Sequence, residues 1–427
     1  VKPGTRHRSE SPAARRGRLR AAFASAFPGT GAARPDLEFY RAPGSVNLIG
    51  GHTDYNDGLV LPAAIGLDTW LVVRRRRDSL VRVVSLQAGL AGTGGTGAPT
   101  SGATARASGK SRGRFWVDEL APPDQGQRRA EAGWLDYVAA TAWSLREAGL
   151  PVQGFDGVID SSLPPGAGLG SSAALELAVA LALLGSAPVA GPPTLAALAQ
   201  RAERDFLGID CEIVDQYASA AGLASRAMLL DCRSLESRAV ALPSGVRVVV
   251  CDTRSPRYPH MDTFDERRAE CGRAVALLAE RAPSISSLRD VDRATLRRLR
   301  RVLPDVVARR AEHVVTENER VAAAATAMAV GDLPELGRLF AASHESLRRN
   351  YEVSSPALDA MVDIATHVRG VIGARMTGPG FGGCTVNLVS EHAVADLERA
   401  VADEYPRRTG LEAKVYPVAI SDGAGKV

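Results

Sequence analysis

A chain of 427 residues exceeds the size of one ordinary compact core, so two domains or two closely joined lobes are expected. Apolar residues at 45% and charged residues at 23% exclude a disordered or fibrous protein. The net charge of +4 reflects 52 basic and 48 acidic residues, and the excess lies at Lys2, Arg6, Arg8, Arg15, Arg16, Arg18 and Arg20 against Glu10; no nucleic-acid partner is expected from so local a basic field. No run of about eighteen apolar residues occurs and the start lacks the apolar core of a secretion signal, which predicts a cytoplasmic location and no membrane partner. Cys211, Cys232, Cys251, Cys271 and Cys384 are odd in number and without CxxC spacing, and are read as reduced thiols holding no metal.

In chain order, residues 1–20 read as a flexible basic tail, and the opening Val as an alternative start or a trimmed chain. Alternating and β-branched residues predict strands over 37–42 and 66–83. Residues 88–113, rich in Gly, Ser, Thr and Ala without hydrophobic periodicity, read as a flexible surface insertion. An amphipathic helix follows over 134–150, then a strand over 155–159 that feeds a Gly-rich loop and an Ala- and Leu-rich helix. Helices are predicted over 288–303, 309–330 and 333–349, and strands over 374–388 and 413–420. This order of strands and helices predicts an α+β fold rather than a doubly wound sheet.

The Gly-rich loop is Leu163-Pro164-Pro165-Gly166-Ala167-Gly168-Leu169-Gly170-Ser171-Ser172-Ala173-Ala174. Its glycines let backbone approach an anion, the helix start supplies N–H groups and the positive end of a dipole, and Ser171 and Ser172 add hydroxyls. No Lys follows the glycines, so it is not the GxxxxGK[ST] loop, and it is not a dinucleotide GxGxxG in its usual form. On its own the loop reads either as a phosphate cradle or as a structural turn with a serine cap.

Two further segments make the pattern specific. Arg41-Ala42-Pro43-Gly44-Ser45-Val46-Asn47-Leu48-Ile49-Gly50-Gly51-His52-Thr53-Asp54-Tyr55-Asn56 resembles the galactokinase signature, and Thr377-Gly378-Pro379-Gly380-Phe381-Gly382-Gly383-Cys384 resembles the third motif of the GHMP kinases, whose second motif the Gly-rich loop resembles. The three stand in family order, and the match continues through 211–216, 231–234 and 267–271. The resemblance implies a two-lobed α+β GHMP kinase fold, with a ribosomal-protein-S5-like N-terminal lobe over 21–220 and a ferredoxin-like C-terminal lobe over 221–427. It also implies an ATP-dependent sugar 1-kinase that transfers the γ-phosphoryl group to the anomeric hydroxyl of galactose or a close relative. Pro165, Gly166, Gly168, Gly170, Ser171, Ser172 and Ala173 would hold ATP, and Ser172 and Glu203 would hold Mg²⁺. By the same carry-over Asp215 is the catalytic aspartate, and His52, Asp54, Glu212 and Phe264 face the sugar. The plain alternatives are a solvated helix carboxylate for Glu203, a helix cap for Asp215, a turn cap for Asp54 and a histidine packed in a turn for His52.

Four positions depart from the family. Ser45 stands in place of an arginine, and loss of such an electrostatic partner removes on the order of 10²- to 10³-fold in rate. Arg41 is a poor substitute, because four strand residues span roughly 13 Å. Gly51 replaces a glutamate that binds at carbon six, which opens space and deletes an acceptor; L-arabinose kinases resemble the chain in this Gly-Gly. Glu212 replaces a glycine and either re-supplies that carboxylate or raises the pKa of Asp215. Phe264 replaces a tyrosine, removing a hydroxyl contact worth about 0.5 to 1.5 kcal/mol. Besides a galactose kinase, the departures therefore leave an L-arabinose kinase or a weakened sugar- and ATP-binding sensor. Mevalonate and homoserine are disfavoured by the His52-Thr53-Asp54-Tyr55 run.

Overall fold

Strand periodicity in the first half sets up a sheet with apolar side chains on both faces. The computed structural model describes residues 10–28, 36–87, 106–107, 111–122, 132–164, 166–187, 191–255 and 261–427. Its first half comprises α1 (Pro12–Ala26), β1 (Glu38–Asn47), β2 (Leu59–Val60), β3 (Pro62–Arg75), β4 (Leu80–Ser85), β5 (Arg106–Ala107), β6 (Arg112–Trp116), α2 (Trp134–Glu147), β7 (Phe155–Ser161), α3 (Ser171–Leu184), α4 (Pro192–Arg201) and α5 (Val214–Ala221). The second half comprises β8 (Arg226–Asp231), β9 (Ser237–Ala241), β10 (Val246–Asp252), α6 (Met261–Ala279), α7 (Arg293–Leu299), α8 (Asp305–Val330), α9 (Leu333–Ser346), α10 (Pro356–His367), β11 (Val371–Thr377), β12 (Cys384–Ser390), α11 (Val394–Thr409), β13 (Lys414–Val418) and β14 (Gly425–Lys426).

The main sheet has the order β14-β1-β3-β7-β4-β6-β5, antiparallel except for the β4–β7 pair. Along β3, Leu71 and Val73 point into the main core with α2 and α3, while Trp70 and Val72 point to the opposite face, as a period of two requires. That opposite face is covered by α1, whose Leu19 and Phe23 pack on Phe39, Trp70, Val72 and Val158. A smaller sheet has the order β11-β12-β10-β13 and is backed by α10 and α11, and a third has the order β2-β8-β9. Mixed, mainly antiparallel sheets with segregated helices are the expected α+β arrangement.

The N-terminal segment differs from expectation. Residues 12–26 form a helix, capped by the Ser11 side chain and started by Pro12, in place of a flexible tail running to residue 20. Arg15 is buried and pairs with Asp68 (2.5 Å) and Asp160 (2.7 Å), and Arg18 reaches Asp160 (2.9 Å). A cluster of arginines reads as solvated when its carboxylate partners lie far along the chain. Most of the 88–113 insertion lies outside the described residues, as do residues 1–9 and Pro165; β5, inside the insertion, pairs with β6, which runs on past its end.

The remaining differences have local causes. The helix expected over 288–303 is broken into a 3-10 turn, α7 and a second 3-10 turn, because Ser287 and Asp292 cap new starts. The strand expected over 374–388 is two strands around the third glycine motif. The lobe boundary expected at residue 220 falls at the last residues of α5, and one hydrophobic core joins Val46 and Val60 to Val321, Phe340 and Cys384 across it. The chain end also returns, as β14, to the edge of the first sheet. No helix among the described residues is long and apolar enough to cross a membrane.

Replacing Arg15 by Ala is expected to lower unfolding free energy by about 2 to 3 kcal/mol in denaturant melts, since charge-assisted bonds to two carboxylates are lost while Arg41 and Arg18 remain. A change below about 1 kcal/mol would mean that α1 is not docked in solution.

Candidate active site

The end of β1 enters the site between the Gly-rich loop and α5. A Cβ on Gly44 would lie 2.4 Å from Leu163 and 2.5 Å from the Leu169 carbonyl, so only glycine permits this approach. The Ser45 N–H donates to the Leu169 carbonyl (3.1 Å), and the buried Ser45 hydroxyl donates to Asp215 Oδ1 (2.6 Å). In the loop, Gly166, Gly168 and Gly170 have φ of 70°, 73° and 64°. Gly170 is the N-cap of α3 and no side chain caps that helix, which leaves its first amides and its dipole for an anion. Ser171, Ser172 and Ala173 form that first turn.

The third motif braces the other two. Thr377 Oγ1 donates to the Asn47 carbonyl (2.9 Å), Cys384 Sγ to the Ala167 carbonyl (3.1 Å), and the Thr253 amide to the Gly383 carbonyl (2.9 Å). Buried Arg375, just ahead of this motif, donates to the carbonyls of Asn47 (3.3 Å) and Leu48 (3.0 Å).

Beside the loop, Glu203 sits in a π-helical turn over Ala202–Leu207, within hydrogen-bonding reach of Ser172, and accepts from Gln216 Nε2 (3.2 Å). Burial raises its pKa. Sequence reasoning missed Glu176, one helical turn after Ser172; burial and the facing Glu203 charge push it well above the usual carboxylate range. Among the described residues no group of three or more His, Cys, Asp or Glu is arranged to hold a metal. A hydroxyl and a carboxylate beside a phosphate cradle are nonetheless the oxygen donors that Mg²⁺ shares with a nucleotide.

The second wall is aromatic and polar. His52, at φ 63°, bonds through Nδ1 to the Tyr55 hydroxyl (2.9 Å), which meets the Tyr351 hydroxyl (2.7 Å). Burial, reinforced by nearby positive groups, drives His52 down to about 3, so it is neutral. Phe264 lies with its ring centre 5.8 Å from His52 and 5.3 Å from Tyr55. Among the described residues, buried Asp54 Oδ1 has no hydrogen-bond partner. Burial, together with the Glu212 charge, raises Asp54 to about 7.

The positions that depart from the family meet specific partners. Glu212 acts on Asp54 and is itself held by Arg268 Nη2 (2.6 Å), which also pairs with Asp210 (2.9 Å) and stacks over Tyr55 and Phe264. Arg268 was not singled out by its sequence neighbourhood, and only its facing carboxylates mark it. Gly51 does not open free space: a Cβ there would meet Arg375 Nη2 at 2.8 Å and Leu347 at 3.3 Å. Arg41 pairs with Asp68 (2.6 Å) and with the Ser421 hydroxyl (3.1 Å), so it is tied to the sheet and chain end.

This fold and this clustering of motifs define the class of the GHMP kinases. Models described as GHMP kinases N terminal domain and GHMP kinases C terminal match residues 136–223 and 323–407, and the Galactokinase galactose-binding signature matches residues 21–75. The chain is 41% identical to a galactokinase of Roseiflexus sp. over 91% of its own length and 92% of the relative's. It is also 41% identical to a galactokinase of Chloroflexus aurantiacus over 92% and 93%. The crystal structure of Lactococcus lactis galactokinase complexed with galactose superposes with a TM-score of 0.84 at 32% identity, covering 96% of this chain and 99% of that one. Methanococcus jannaschii mevalonate kinase shares the fold, with a TM-score of 0.57 at 16% identity over 90% and 98% of the chains. The chain belongs to the galactokinase family.

With Asp54 titrating near pH 7, its carboxylate is present above that pH and lost below it. Galactose, used as a calorimetric probe, is therefore expected to bind about tenfold more tightly at pH 8 than at pH 6, with the dependence absent in Asp54→Asn. A flat profile in the unsubstituted protein would remove Asp54 from the sugar contact.

Proposed function

We propose that this protein transfers the γ-phosphoryl group of ATP to the anomeric hydroxyl of galactose. The observation that carries the reading is the joining of the first two motifs at one carboxylate: Ser45 lies against Gly170 and is bonded to Asp215. The phosphates would lie on the loop and on the amides of Ser171, Ser172 and Ala173, where the helix dipole favours their charge. The sugar would place hydroxyls on Asp54 and its ring against Phe264 and His52. Asp215 would orient the anomeric hydroxyl and take its proton as that oxygen bonds to the γ-phosphorus and ADP leaves.

Ser172 and Glu203 would hold Mg²⁺, which supplies neutralisation of phosphate charge. Neutral His52 keeps positive charge away from the Asp54 carboxylate, and Arg268 holds Glu212 on the same wall. The 41% identity to galactokinases over most of the chain supports galactose over L-arabinose.

ADP release with galactose, ATP and Mg²⁺ is the test. Turnover is expected with galactose and not glucose, and Asp215→Asn is expected to lower kcat by about 10²- to 10⁴-fold while galactose binding persists. Galactose binding without ADP release in the unsubstituted protein would defeat the proposal.

A further inference from the structure

We infer that Ser45 is the positioning residue of this kinase: its hydroxyl sets the orientation of the Asp215 carboxylate and ties it to the loop that holds the phosphates. The inference rests on the reading of Asp215 as the group that receives the sugar proton. Ser45 is fully buried, and its hydroxyl donates to Asp215 Oδ1 at 2.6 Å. Its backbone is tied to the loop through the bond to the Leu169 carbonyl, and its Oγ stands 2.3 Å from where a Cβ on Gly170 would be. A side chain at 170 would thus displace the hydroxyl, and the φ of 64° at that position also favours glycine.

A second contact shows that α5 as a whole is seated on β1. Ser219, one helical turn after Asp215 and on the same helix face, donates to the Pro43 carbonyl. Two bonds one turn apart fix both the height and the rotation of α5 against the strand. Of these, only the Ser45 bond reaches the carboxylate itself. Because the donor is neutral, it orients Asp215 without adding the positive charge that would make the carboxylate a weaker base. Nor does Arg41 add that charge, since it is engaged by Asp68 and the chain end.

A group that acts by orientation should affect the chemical step and leave binding alone. Steady-state kinetics of galactose phosphorylation on the full chain would be measured for Ser45→Ala, Ser45→Cys and Asp215→Asn, with galactose binding by calorimetry and thermal melting of each variant. In Ser45→Ala, kcat is expected to fall about 10- to 100-fold, the loss typical of a hydrogen bond to a charged group, with KM for galactose and ATP within about twofold. Ser45→Cys, a weaker donor of similar shape, is expected to lie between. If Asp215→Asn loses turnover while Ser45→Ala keeps kcat within about twofold, the inference on Ser45 is overturned and the role of Asp215 stands. If Asp215→Asn keeps its turnover, the reading of Asp215 falls, and the inference with it. Loss of galactose affinity or melting temperature in step with kcat in Ser45→Ala would reduce Ser45 to a structural residue and overturn the inference as well.

Discussion

The close approach of β1 to the loop between β7 and α3 is the constraint on which the site depends. It is possible because Gly44 and Gly170 present no side chains where the two backbones meet. One consequence is that the strand leading to His52 and Asp54 and the Gly-rich loop share a hydrogen bond, from the Ser45 amide to the Leu169 carbonyl. Phosphoryl transfer asks the protein mainly for positioning and charge placement, and a backbone junction provides positioning at little entropic expense.

The second half of the chain reads the first through buried charge. Glu317 on α8 accepts from the amides of Gly50 (3.1 Å) and Gly51 (3.4 Å) and from the Ser343 hydroxyl (2.6 Å), and His313 Nε2 meets the Gly51 carbonyl at 3.0 Å. Burial alone would raise the pKa of Glu317, but Arg320, His313 and Arg375 outweigh it and hold the carboxylate down at about 2. That anion is fully committed to structure. Asp54 and the Glu176–Glu203 pair differ, because burial and neighbouring carboxylates push them upward, toward forms that a ligand or cation would change.

The three motifs were legible because each needs particular residues at fixed spacing, glycines for positive φ and a carboxylate or hydroxyl at set offsets. The structure places Asp215 against Ser45, Glu203 within reach of Ser172, and His52 with Tyr55 and Phe264 in one aromatic cluster. Contacts that depend on distant partners were not legible. The α1 arginines looked like a solvated tail because Asp68 and Asp160 lie far along the chain. Arg268 is one arginine among many until Glu212 and Asp210 are seen to face it. The space beside Gly51 looked empty because Arg375 reaches it from β11. Burial was equally hidden, and with it the neutral state of His52 and the raised pKa of Asp54.

The most direct test of the account is the position of the phosphate in the product. Phosphorus NMR of the mixture formed from galactose, ATP and Mg²⁺ is predicted to show one sugar phosphate, esterified at the anomeric oxygen and equal in amount to the ADP formed. Phosphate at carbon six, or ADP without a sugar phosphate, would contradict the placement of the anomeric hydroxyl between Asp215 and the phosphate loop.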